Sequence, residues 1–328
     1  MLINHYPIVP SRVYKAYWEF ACRRQEIFFN RFLRVTSPWT ADSILQKFKF
    51  TNAYRASDRV SQFLIRNVIY SHDDFSPEDQ VFRILLFKIF NKIETWKFLE
   101  SQLGVISFAS YKRENYEKLL TQYLEGGNRL YSAAYIMPSG KSSFGFSKKH
   151  KNNLSLLELI MKDKISAKIG VAKSLKEIYE LLLSYPSLGS FLAFQYSIDI
   201  NYSELCDFSE MSFVVAGPGA KNGIKKCFID IGKNSYEDII RFMAESQEHE
   251  FERFGLNFKN LFGRPLQLID CQNLFCETDK YARVAFPEEH GGSDRTRIKQ
   301  QFCQNITPIE YFYPPKWGFN EKILMEEK

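Results

Sequence analysis

The chain has 328 residues, 45% of them hydrophobic and 25% charged, which suits one large globular domain or two lobes sharing a core. Lys and Arg number 44 against 38 Asp and Glu, a net charge of +6, which permits a nucleic-acid partner without requiring one. Six scattered cysteines lack any CxxC pair, and five histidines lack HxH, HxxxH or HExxH spacing, so neither an iron–sulfur cluster nor a His-built metal site is expected. No apolar run reaches membrane-spanning length, and the start of the chain, with Asn4, His5 and Pro7, carries no secretory signal. A cytoplasmic protein with free thiols, no metal and no cofactor is the expectation.

Nearly every periodic stretch reads as helix. Residues 11–34 place Val13, Tyr14, Tyr17, Trp18, Ala21, Phe28 and Phe32 near one face. The stretch 39–62 is dense in amides, aromatics and arginines. Gln46, Asn52, Tyr54, Arg55, Asp58 and Gln62 within it are candidates for base-edge contacts and stacking around a flipped nucleotide. The plainer alternative pairs Asp58 with Arg55 or Arg59 on a helix surface. Ser76-Pro77-Glu78-Asp79 predicts a helix start, with a Ser cap, Pro at the first position and acids in the first turn.

Residues 129–146 read as the longest loop, with room for a small hairpin. Ser174 and Glu177 form a capping-box pattern for a helix ending near Tyr185-Pro186, and Ser187 starts another. Further helices are predicted over Ser235 to Phe254 and, short and basic, Asp294 to Gln301. The tail Tyr311 to Trp317 reads as extended and packed. The predicted class is mainly α, with two helical lobes and a cleft between them. Arg23-Arg24, Lys148 to Lys151, Lys225-Lys226, and Arg295 with Arg297 and Lys299 are basic clusters, either DNA contacts or solvated surface.

Two segments stand out chemically. Gly217-Pro218-Gly219, followed by Lys221, reads as a tight turn whose backbone N–H groups can hold a DNA phosphate, or as an ordinary interhelical turn. Asp270, in Leu268-Ile269-Asp270-Cys271-Gln272-Asn273, can face a cleft as a catalytic carboxylate while Leu274 and Phe275 are buried, or it can simply cap its helix. Glu277 and Asp279 read as partners for Lys280 and Arg283.

The runs Asn30-Arg31-Phe32, Trp39-Thr40 and Leu45 to Arg59, with Asp270 to Asn273, Cys276-Glu277 and Asp279-Lys280-Tyr281, resemble the alpha-glutamyl/putrescinyl thymine pyrophosphorylase family over roughly residues 15–305. That family is associated with amino-acid transfer to hypermodified thymine in DNA. It is similar in turn to helix-hairpin-helix DNA glycosylases, including some that excise modified phage bases in defence. The resemblance implies a single glycosylase-like catalytic unit over 1–328, with a helix-hairpin-helix-like segment about 205–232 and a catalytic segment about 265–285. It implies phosphate contacts at Gly217 and Gly219, a catalytic acid at Asp270 and a Schiff-base lysine at Lys221. The 49 residues separating Lys221 from Asp270 exceed the usual spacing, and a helix inserted over 235–254 accounts for the difference.

The leading expectation is a DNA glycosylase for a modified pyrimidine. Asp270 and Lys221 would be catalytic. Gln46, Asn52, Tyr54, Arg55, Asp58, Gln62, Gln272 and Asn273 would read the base, and Gly217, Gly219, Lys221, Lys225, Lys226, Arg295 and Arg297 would contact DNA. The expected partner is double-stranded DNA with modified bases, with no membrane and no obligate protein partner. The alternatives are a transferase that replaces pyrophosphate on activated 5-hydroxymethyluracil with an amine, and a non-catalytic DNA-binding module. Gly217 to Lys221 lacks the spacing of a nucleotide-binding P-loop.

Overall fold

A computed structural model describes residues 1–4, 6–71, 75–292, 295–305 and 307–326. The expected helical class holds: 56% of the protein is helix. The chain divides into two compact units, unit 1 over residues 1–58, 213–311 and 315–328, and unit 2 over residues 59–212 and 312–314.

In chain order, unit 1 opens with α1 (Val13–Phe32) and α2 (Ser43–Lys47). Unit 2 follows with α3 (Arg59–Phe63), α4 (Pro77–Phe90), α5 (Ile93–Leu103), α6 (Arg113–Glu125), α7 (Lys141–Phe144), α8 (Lys149–Lys162), α9 (Ile165–Val171), α10 (Leu175–Leu183) and α11 (Ser190–Asn201). The chain then returns to unit 1 with α12 (Pro218–Cys227), α13 (Tyr236–Arg253), α14 (Leu268–Ala285) and α15 (Asn320–Glu326). Among the described residues, the strands are short: Leu2–Ile3 pairs antiparallel with Tyr6–Pro7, and Val9–Pro10 with Phe228–Asp230.

Unit 1 is built around α1 and α14. The predicted apolar face of α1 is buried throughout, and Tyr14, Tyr17 and Trp18 meet Phe228, Phe251 and Phe275 in edge-on or tilted ring contacts. Ser235 and Asp238 cap α13 reciprocally, as its sequence predicts for a helix start. In unit 2, Ser76 Oγ accepts from Asp79 N and opens α4, whose residues Val81 to Phe90 are all buried. Arg83 donates to the carbonyls of Asn67, Val68 and Ile106 and so ties down the π-helical turn Leu64–Ile69. Burial lowers its pKa to about 10. Lys88 and Asp199 form a buried ion pair at 3.1 Å.

Some expectations fail locally. Residues 295–300 are irregular rather than helical, and Asp294 lies outside the described residues. Ser187 takes a positive φ of 68°, so α11 starts only at Ser190. The 129–146 loop carries a short helix instead of a hairpin. Within 205–232, expected to hold a helix-hairpin-helix, the helical part is α12 (Pro218–Cys227). An irregular run over 202–217 separates α11, which belongs to unit 2, from α12, which belongs to unit 1.

Candidate functional site

The glycine segment serves packing. Gly217 caps α12 with φ −69°, and neither it nor Gly219 adopts the left-handed backbone of a tight turn. A Cβ on Gly223 would come within 2.0 Å of the Phe275 carbonyl oxygen, and one on Gly219 within 2.8 Å of Cys276 Sγ. These glycines let α12 lie against α14 at backbone contact. Ala216 N–H, just before α12, donates to Glu237 Oε1 at 2.8 Å, so a carboxylate already sits by the helix start where a phosphate was expected. Lys226 is not a DNA contact. It is 2% exposed and paired with Asp279 at 3.0 Å, while Lys225 and Lys221 are exposed, the latter near the Tyr236 ring.

Asp270 is 4% exposed and closes a capping box. Its Oδ2 accepts from Gln267 N at 3.0 Å and its Oδ1 from Arg55 N at 2.8 Å. The expectation that it faces a cleft is corrected: the carboxylate is sealed against the backbone it fastens. Tyr54 is equally structural, its hydroxyl donating to Arg264 O at 2.6 Å and accepting from Leu261 N at 3.2 Å. Burial and the nearby Asp270 push its pKa well up.

The contact between Arg55 and Asp270 nevertheless brings two predicted segments together, and beside it lies a less settled cluster. Arg24 of α1, 9% exposed, donates to Thr51 O at 2.8 Å and Asn52 Oδ1 at 2.9 Å. Asn52 donates through its side chain to Ser57 O and through its backbone to Asp58 Oδ1, both at 2.8 Å. Glu277 of α14 accepts from Thr51 N at 3.1 Å and pairs with Lys280 at 2.7 Å. Asp58 is half-buried. Desolvation pushes its pKa up to about 7 and Glu277 adds to the rise, against the opposing pull of the Asn52 hydrogen bond, Arg24 and Arg55. Desolvation likewise lowers the pKa of Arg24. Two carboxylates act electrostatically on one buried guanidinium here, and burial leaves one of them with a pKa near neutrality.

The other predicted residues scatter. Gln46 is exposed and donates to Thr40 O. Gln62 is buried in unit 2, where Oε1 accepts from Phe312 N. Gln272 is buried and donates to Asn273 Oδ1 and toward Cys276 Sγ. Arg295 and Arg297 are exposed. Sequence reasoning named Arg24 only within a basic cluster and Glu277 only as a partner for Lys280, which it is, and joined neither to Asp58. The available signal was an arginine at helical spacing, with Tyr17, Ala21 and Phe28, on the apolar face of α1. No group of three or more His, Cys, Asp or Glu able to hold a metal occurs among the described residues.

A family model described as the helical domain of 5-hmdU DNA kinase matches residues 11–291. The chain belongs to this family. It is similar to a 5-hmdU DNA kinase from Bacillus phage SP10, 27% identical over 313 residues that cover 89% of this chain and 48% of that protein. The chain thus spans about half the length of the curated relative it matches. No solved structure matches it. These findings overturn the glycosylase reading: the relative is named as a DNA kinase, not for hydrolysis of a glycosidic bond. The hydrolase assignment falls with it. Replacement of pyrophosphate by an amine is not kinase chemistry either.

Proposed function

We propose that this chain takes part in phosphoryl transfer to 5-hmdU in DNA. Unit 1 receives the modified nucleotide, and Asp58 takes the proton of its hydroxymethyl group. A primary hydroxyl is a weak nucleophile that gains from a positioned base as its oxygen attacks the terminal phosphorus of a nucleoside triphosphate, whose bond to the bridging oxygen breaks and releases the diphosphate. The observation that carries the reading is the half-buried Asp58 carboxyl with its pKa at about 7, a value suited to accepting and releasing a proton at neutral pH. Arg24 and Lys280 place positive charge in the same cluster, where negative charge gathers during transfer. Polar groups arranged for a hydroxyl discriminate strongly against thymidine, which leaves them unpaired.

The test offers oligonucleotides carrying one 5-hmdU or thymidine, with a nucleoside triphosphate labelled in its terminal phosphoryl group. The expected result is tighter binding of the 5-hmdU strand, label transferred to that strand alone, and loss of transfer in Asp58→Asn. Equal affinity for both strands together with no transfer overturns the proposal.

A further inference from the structure

The stretches 43–57 and 295–309 contain no acidic residue, and unit 1 brings them side by side. Lys49 N donates to Gln300 O at 3.1 Å, Phe302 N donates to Lys47 O at 2.9 Å, and Phe48 forms an antiparallel bridge with Gln301. In such a pairing opposed residues share a face. Lys47 therefore stands opposite Phe302, and Lys49 opposite Gln300. Arg297 and Lys299 lie just before the bridge in the second segment, and all four cations are exposed. Among the described residues none of the four forms an ion pair, unlike Lys148, Lys151 and Lys168, which each hold a carboxylate. Phe302, opposite Lys47, keeps 38% of its surface exposed.

We infer that these two bridged basic segments form a binding surface for an unpaired DNA strand, with Lys47, Lys49, Arg297 and Lys299 on the phosphates and Phe302 stacked on a base. Cations held in no ion pair beside an exposed ring combine the two attractions that hold single strands, charge along the backbone and stacking on a base face. In a duplex the base faces are already covered by their neighbours, so a ring at this position gains nothing from paired DNA. The surface stands on its own charges and ring, independently of phosphoryl transfer.

The experiment measures anisotropy of dye-labelled thymidine oligonucleotides without 5-hmdU, single-stranded and annealed, across a salt series. The wild type should bind the single strand more tightly than the duplex. The combined variant K47A/K49A/R297A/K299A should lose more than tenfold in affinity, and its log–log salt slope should shrink by roughly 2–3. Phe302→Ala should weaken single-strand binding roughly tenfold and leave the salt slope unchanged. All five side chains are exposed, and an unchanged circular dichroism melt checks that the variants fold. Duplex preference in the wild type, or wild-type affinity in either variant, overturns the inference. Because the probe carries no 5-hmdU, failure of phosphoryl transfer leaves this outcome unaffected.

Discussion

Asp270 and Asp58 each accept a backbone N–H from the same short segment of unit 1, yet they are different chemical objects. Asp270 accepts from two backbone amides and is sealed, one oxygen bonded at the start of α14 and the other to Arg55 N. Asp58 accepts from one backbone amide, faces a second carboxylate and keeps some exposure. A buried acid whose oxygens are all engaged by backbone fixes a fold. One left beside a like charge keeps a proton within reach of neutral pH.

The sealed side is broken most severely at the helix contact behind Asp270. Gly223→Ala drives a methyl into the Phe275 carbonyl, which no rotamer relieves, and should cost roughly 3 kcal/mol or more. Urea melts measure it, and a loss below 1 kcal/mol would show that α12 can lift from α14 at small cost. Lys226→Met comes next. It strands the buried Asp279 with Arg283 as its remaining partner and should cost about 3 kcal/mol in the same melts. Asp270→Ala, which leaves the amides of Arg55 and Gln267 without their acceptor, should cost about 2 kcal/mol. If Asp270→Ala melted like the wild type, the contrast between the two aspartates would be lost.

The sealed side was only partly legible in the sequence, and the reason is physical. Caps such as Ser76 with Asp79 and Ser235 with Asp238 are local, so a few adjacent letters specify them. A glycine is ambiguous, because it serves a turn that needs positive φ or a helix that needs no side chain. Only the arrival of α14 decides for Gly219 and Gly223. Helical spacing did hold one clue: Gly219, Gly223 and Lys226 share a face, so Lys226 follows the glycines into the contact while Lys225 points away. Asn52, Arg55 and Asp58 were legible as an unusual polar stretch. Their partners Arg24 and Glu277 come from remote helices, and the titration of Asp58 depends on those neighbours.

The smallest predicted effect bears most directly on the contrast. Asp58 binds its proton more tightly folded than unfolded, with a pKa of about 7 against an ordinary value near 4. Between those values the folded state holds more protons than the unfolded chain, so stability falls as pH rises from about 4 to about 7 and levels off above. Asp58→Asn keeps an oxygen for the Asn52 amide and removes the charge. Its stability should therefore exceed the wild type at pH 8 by about 1 kcal/mol, a figure reduced for the solvent that reaches a half-buried group, and the gap should close toward pH 4. Urea melts of both proteins across that range provide the measurement. A gap that stayed constant with pH would mean that Asp58 titrates as an ordinary surface acid, and the two aspartates would then differ only in their hydrogen bonds.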